Sequence, residues 1–173
     1  MSAPKPPSSA PDDSRERILA AATALFAEHG YDGATTRLVA AAAGLNVATV
    51  AYHVGSKADL YREVMRRAQA AEAEAVDAAL DAFRTAAAED AAGAVRGLVG
   101  ADLDFCLEDP NIPALWMRRW LADAAEVVGP EAEYAKPLID AVCAAVEREL
   151  PGVAAAAEVE MTVWTILWST HGF

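Results

Sequence analysis

The chain has 173 residues, 54% of them hydrophobic, and a formal net charge of −12. That is enough apolar side chain to bury a core in one or two small domains, and it excludes disorder throughout. The first twenty residues hold no apolar run behind a basic start, and no later stretch reaches about 18 uninterrupted apolar residues, which predicts a soluble cytoplasmic chain with no leader and no membrane contact.

Residues 1 to 13 form the first segment, rich in Pro, Ser and Ala around Lys5, a composition that predicts a disordered arm. Asp13 with Glu16 makes a capping-box start, and Ile18, Leu19, Ala22, Leu25 and Phe26 recur with helical spacing until Gly30 stops the helix. Thr35 or Thr36 caps a short second helix running through Ala42; Gly44 marks a turn, and Asn46 or Val47 opens a third helix ending near His53. Ser56 with Asp59 starts a long fourth helix whose apolar stripe is Leu60, Val64, Ala68, Ala71, Ala75, Ala79 and Phe83. Further helices are predicted at about 91–107, 111–128, 131–150 with Pro137 as a kink or restart, and from 154 to the end. No segment alternates like a strand, so the fold class is all-α.

Charge divides the chain. Residues 1 to 67 carry eight Lys/Arg against seven Asp/Glu, which leaves −13 on the remainder. Between Gly33 and Ala58 there is no acid, only Arg37 and Lys57, so this stretch can approach a polyanion without like-charge repulsion. Within it Ala40 supplies a close helix contact, Gly44 the turn, and Val39, Ala43, Leu45 and Val50 the inward positions of a helix-turn-helix. Val47, Ala48, Thr49, Ala51, Tyr52 and His53 then face outward on its second helix.

The stretches "RILAAATALFAEHGYDGATT" and "VAAAAGLNVATVAYHVGSKADLYREV" resemble the N-terminal domain of the tetracycline-repressor (TetR) family of transcriptional regulators over about residues 14 to 67. The resemblance implies that Thr36, Thr49, Tyr52 and Lys57 bind DNA phosphates, with Arg37 an added phosphate contact, and that Val47, Ala48 and His53 occupy places that touch bases or adjacent backbone. Val54 stands where the family usually has Phe, and Ala48 where it has Gly or Pro. Val47 and Ala48 offer only apolar contacts, which leaves more of the base readout to groove shape and to His53 or Asn46. Residues 14 to 58 are thus expected to be the DNA-binding domain. Residues 59 to 173 are expected to be a helical ligand-binding and dimerisation domain that ends at "WSTHGF", short of the family's last helix.

In that second domain, Asp102 falls inside an apolar arc of Val95, Leu98, Val99, Phe105 and Cys106, and Arg119 falls inside an arc of Ile112, Leu115, Trp116 and Trp120. A buried charge needs a partner, so Asp102 and Arg119 are expected to meet each other or a ligand, or to form structural ion pairs. Asp102, Phe105, Trp116, Arg119, Trp120 and Trp164 are the candidate lining of a pocket for an apolar or aromatic molecule. The last helix carries two apolar faces, one with Val159, Val163 and Ile166 and one with Met161, Trp164 and Trp168; one can meet the core and the other a second subunit.

The function expected is a ligand-responsive regulator, a repressor that binds a pseudo-palindromic double-stranded operator as a homodimer and is released by a small effector. The alternative is a small-molecule-binding helical protein without specific DNA binding. Cys106 and Cys143 are expected as buried free thiols. With His29, His53 and His171 scattered and no nucleophile elbow or phosphate loop, neither an enzyme nor a metal or cofactor is expected.

Overall fold

The computed structural model describes residues 11–121, 124, 127 and 136–172, so most of the arm lies outside the described residues. Helix α1 (Pro11–Gly33) begins two residues before Asp13. Proline is well suited to a first helical position because its missing N–H would have no partner there, and Pro11 to Asp13 thereby join the helix. Ile18, Leu19, Ala22 and Phe26 are buried along one face of α1. At Gly30 the backbone takes φ 72 and ψ 176, and the chain kinks before a last turn to Gly33.

Helix α2 (Thr36–Ala43) is capped by Thr35, whose hydroxyl accepts from the Leu38 N–H at 3.2 Å. Gly44 ends it in the left-handed region at φ 66, where a side chain is disfavoured. Helix α3 (Val47–Val54) is capped by Asn46 and lies at 102° to α2, within the range of a helix-turn-helix. Val39, Ala40, Ala43 and Val50 form its inward contacts, and Leu45 packs against them partly buried.

The capping box of Ser56 and Asp59 opens α4 (Lys57–Ala87), about 46 Å long at 1.5 Å per residue. Leu60, Val64, Ala68 and Phe83 are buried as the stripe predicts, but Ala71 is exposed and Leu80 and Ala87 are buried in addition. The buried side turns along the helix because the first half of α4 packs on α1 and the second half on α5 (Ala91–Glu108) and α7 (Lys136–Glu149).

Helix α6 (Asn111–Trp120) stops well before Val128. The Leu121 N–H turns back to the carbonyls of Met117 and Arg118, and Ala124 adopts a positive φ of 54 while its carbonyl accepts from Arg119. The expected stretch 131–135, and with it the choice between kink and restart at Pro137, lies outside the described residues; within them α7 runs Lys136–Glu149. Helix α8 (Ala156–His171) completes eight helices, with no strand among the described residues.

Two cores result. One joins α1 to α3, the start of α4 and Ile112, Leu115 and Trp116 of α6; the other joins Leu80 and Phe83 of α4 to Ala94 of α5 and Ala145 of α7. Helix α4 runs through both.

Candidate functional site

The acid-free stretch folds into the outer surface of α2 and α3. Tyr52 is 86% exposed, so its ring is not spent on packing against α1, and it meets only the edge of His53 at 5.2 Å between centroids. Val47 is 42% exposed, and Ala48 and Ala51 are exposed beside it. Arg37 is exposed and Thr36 half-buried in the first turn of α2. These short side chains leave the start of α3 narrow enough to enter a major groove.

Two expected contacts are held in place by their neighbours. The Lys57 ammonium lies 4.3 Å from the centre of the Tyr31 ring and 3.5 Å from the Asp32 carbonyl, which orients it without neutralising it. Tyr31 is fixed in turn by Phe26 and Tyr61, with centroid distances of 6.1 and 5.1 Å. The Thr49 hydroxyl and N–H both donate to Asn46 Oδ1, at 3.0 and 2.8 Å. That oxygen is therefore occupied by the cap, which weighs against Asn46 as a base reader.

An ionic network braces this unit from behind, between residues about fifty apart in sequence. Glu63 of α4 accepts from Arg15 of α1 at 2.9 Å and from Arg66 at 2.8 and 3.0 Å, and Arg67 forks onto Glu16. The Arg66 hydrogen bonds, followed by Arg15, outweigh burial and hold the Glu63 carboxyl down at about 2. Its charge is thus locked in. The sequence reading missed the network because only the tertiary fold brings α1 and α4 together.

Farther along α4, a cavity of about 300 Å³ opens between α4, α5, α6, α7 and α8. Asp102, Phe105, Trp116 and Trp120 line it as expected; Arg119 and Trp164 do not. Arg119, only 7% exposed, points its Nη1 at the Ala124 carbonyl, and Trp164 lies behind Trp120 with centroids 5.9 Å apart. Helical periodicity marks an inward direction but does not separate a cavity wall from solid core. The pairing of Asp102 with Arg119 is not formed: Asp102 Oδ2 is buried and accepts no hydrogen bond.

What the sequence reading lacked is the company Asp102 keeps. Cys106 lies one turn along α5, and His171 comes from the end of α8, with Cys106 Sγ 3.9 Å from His171 Nδ1. The other ring nitrogen of His171 is 3.6 Å from Glu72 Oε1 of α4. Burial opposes a charge on this imidazole, but Cys106 and then Glu72 prevail and hold its pKa up at about 10. The four-residue spacing of Asp102 and Cys106 was visible in the sequence; the arrival of His171 was not.

A third feature links the two regions. Arg118 of α6 donates through Nε to the Ala27 carbonyl at 2.7 Å and through Nη2 to the Glu28 carbonyl at 2.5 Å, gripping α1 just before its kink. On the same helix, Trp116 both lines the cavity and belongs to the N-terminal core.

Comparison with known proteins agrees with this architecture. Over 66 residues the chain is 41% identical to the HTH-type transcriptional repressor AcnR of Corynebacterium glutamicum, a match covering 38% of this chain and 35% of AcnR. Over 50 residues it is 48% identical to the HTH-type transcriptional dual regulator CecR of Shigella flexneri, covering 29% and 22% of the two chains. Matches to these relatives thus span about a third of their length or less. The TetR family regulator PfmR from Thermus thermophilus shares the fold over 92% of this chain and 85% of its own, with a TM-score of 0.70 at 24% identity. The hemolysin II regulator HlyIIR does so over 94% and 90%, with a TM-score of 0.69 at 20% identity. Residues 18–64 match the model of the family described as bacterial regulatory proteins, tetR family. The helix-turn-helix unit that these residues form is thus similar to the N-terminal unit of the tetR family, and the fold of the whole described chain is that of the solved regulators.

Proposed function

We propose that this chain is a ligand-responsive transcriptional repressor. It binds a pseudo-palindromic operator as a homodimer and is released when a small, largely apolar molecule fills the cavity between α4 and α8. The observation that carries this reading is the outer face of α3: Tyr52 is exposed beside Val47 and Ala48 in a stretch of chain without acids that also holds Arg37 and Lys57. Thr36, Arg37, Thr49, Tyr52 and Lys57 contact phosphates, and Val47, Ala48 and His53 face the groove. Two copies of α3 then reach successive major grooves about 34–36 Å apart.

Dimerisation is supported by α8. Val159 is buried against the core, while Met161 and Trp168 are 65% and 43% exposed on the other side with Thr165 between them. That face is the one expected to meet a second subunit. The effector cavity is lined by aliphatic and indole groups with the carboxyl groups of Glu72 and Asp102 among them, which favours an apolar molecule that carries a donor.

The test is binding of the purified chain to fragments of the DNA upstream of its own coding region, measured by fluorescence anisotropy across a salt series. One fragment is expected to bind specifically. Tyr52→Ala should weaken it at least about tenfold, and Lys57→Ala should lower the slope of log K against log salt by about 1. Weak, sequence-blind binding that neither substitution alters would remove the repressor reading and leave a helical protein that binds small molecules.

A further inference from the structure

We propose that Asp102, Cys106 and His171 form a zinc site in the wall of the cavity, with Glu72 orienting the histidine from outside the coordination sphere. One donor atom from each of the three residues lies within 4.8 Å of the other two, and the sulfur and imidazole nitrogen are already 3.9 Å apart. Small closing movements bring such a set onto a tetrahedral ion with bonds of about 2.0–2.3 Å. A thiolate, an imidazole and a carboxylate together suit zinc better than the hard cations, which prefer oxygen alone.

Three further observations point the same way. Asp102 Oδ2 is buried without a hydrogen bond, an arrangement that is costly unless a cation or donor visits it. His171 directs Nδ1 toward Cys106, while its buried Nε2 makes no hydrogen bond and lies 3.6 Å from Glu72 Oε1, the side from which a carboxylate behind a metal-bound imidazole orients the ring. Asp102 also borders the cavity, as does Glu72, so the site lies next to the space an effector would fill.

A metal ion is held by the deprotonated thiol and the neutral imidazole, so its binding is coupled to proton release. The ion would tie α5 to α8, with Glu72 of α4 beside the imidazole.

The test uses the full-length chain, stripped with a chelator and titrated with cobalt(II), then with zinc in competition. One cobalt per chain is expected, with a thiolate-to-cobalt charge-transfer band in the near ultraviolet that zinc abolishes. Cys106→Ser should remove the band while Cys143→Ser retains it. Glu72→Gln should keep the band and weaken the ion by about 10- to 100-fold. Zinc should raise the Tm of the native chain and not that of Cys106→Ser. A native chain that takes up no stoichiometric ion overturns the proposal, as does a band that survives Cys106→Ser or affinity unaltered by His171→Gln. The native chain alone can deliver the negative result, so a variant that fails to fold does not blunt the test. DNA binding plays no part in these readouts, and the two proposals stand or fall separately.

Discussion

At the scale of single residues, Glu63 braces the helix-turn-helix unit, because three arginines converge on it from two helices. Arg15, Arg66 and Arg67 all reach its carboxylate, and its side chain is only 20% exposed. With an unfolded value near 4.5 and a folded value of about 2, its contribution to stability is fully present above about pH 4.5 and is lost as pH falls toward 2. Glu63→Gln is therefore expected to destabilise the chain by about 2 kcal/mol at neutral pH, since each pKa unit is worth about 1.4 kcal/mol and part is recovered by relaxation. In urea titrations from pH 6 to 2.5 the native chain should lose its advantage over the variant. An advantage that persists at pH 2.5 would mean the network contributes by packing and not by charge.

Among the elements, local chemistry and tertiary packing divide the outcome. Where a boundary depends on a cap or a turn residue, the sequence discloses it: Thr35, Asn46 and Ser56 cap α2, α3 and α4, and Gly44 closes α2. Where it depends on what a helix meets, the sequence does not. The buried side of α4 leaves Ala71 out because the helix changes partners halfway, and α6 stops at Trp120 because the chain turns back on Arg119. Gly30 lies between these cases. It was legible as a stop, yet its φ of 72 with ψ of 176 is a region almost restricted to glycine, and it redirects the chain toward α2. Gly30→Ala is expected to lower stability by roughly 2 kcal/mol, or about 4–8 °C in Tm for a chain of this length. An alanine variant that melts with the native chain would show that the kink relaxes without cost.

On the scale of the whole molecule, the exposed residues of α2 and α3 could be grouped because they are contiguous in sequence, whereas only four of the cavity's lining residues and none of its link to α1 could, since both assemble from distant helices. Long α4 joins the two regions by running through both cores. The structure adds α6, which touches the cavity through Trp116 and Trp120 and holds the end of α1 through Arg118. If a molecule that fills the cavity displaces α6, Arg118 is placed to carry that displacement to the Ala27 and Glu28 carbonyls next to the kink that leads into α2. Coupling of this kind is a difference in free energy between two arrangements, and one link in it is typically worth about 0.5–2 kcal/mol. Arg118→Met keeps much of the side-chain bulk and removes both hydrogen bonds. It should leave the affinity of the cavity for a neutral aromatic probe such as N-phenylnaphthylamine unchanged, as read from quenching of indole fluorescence. The ratio of operator affinities without and with the probe should meanwhile fall several-fold toward one. If the ratio in the variant equals that in the native chain, α6 is not a transmitter and α4 acts alone; if the probe itself binds more weakly, Arg118 shapes the cavity and does not relay its filling.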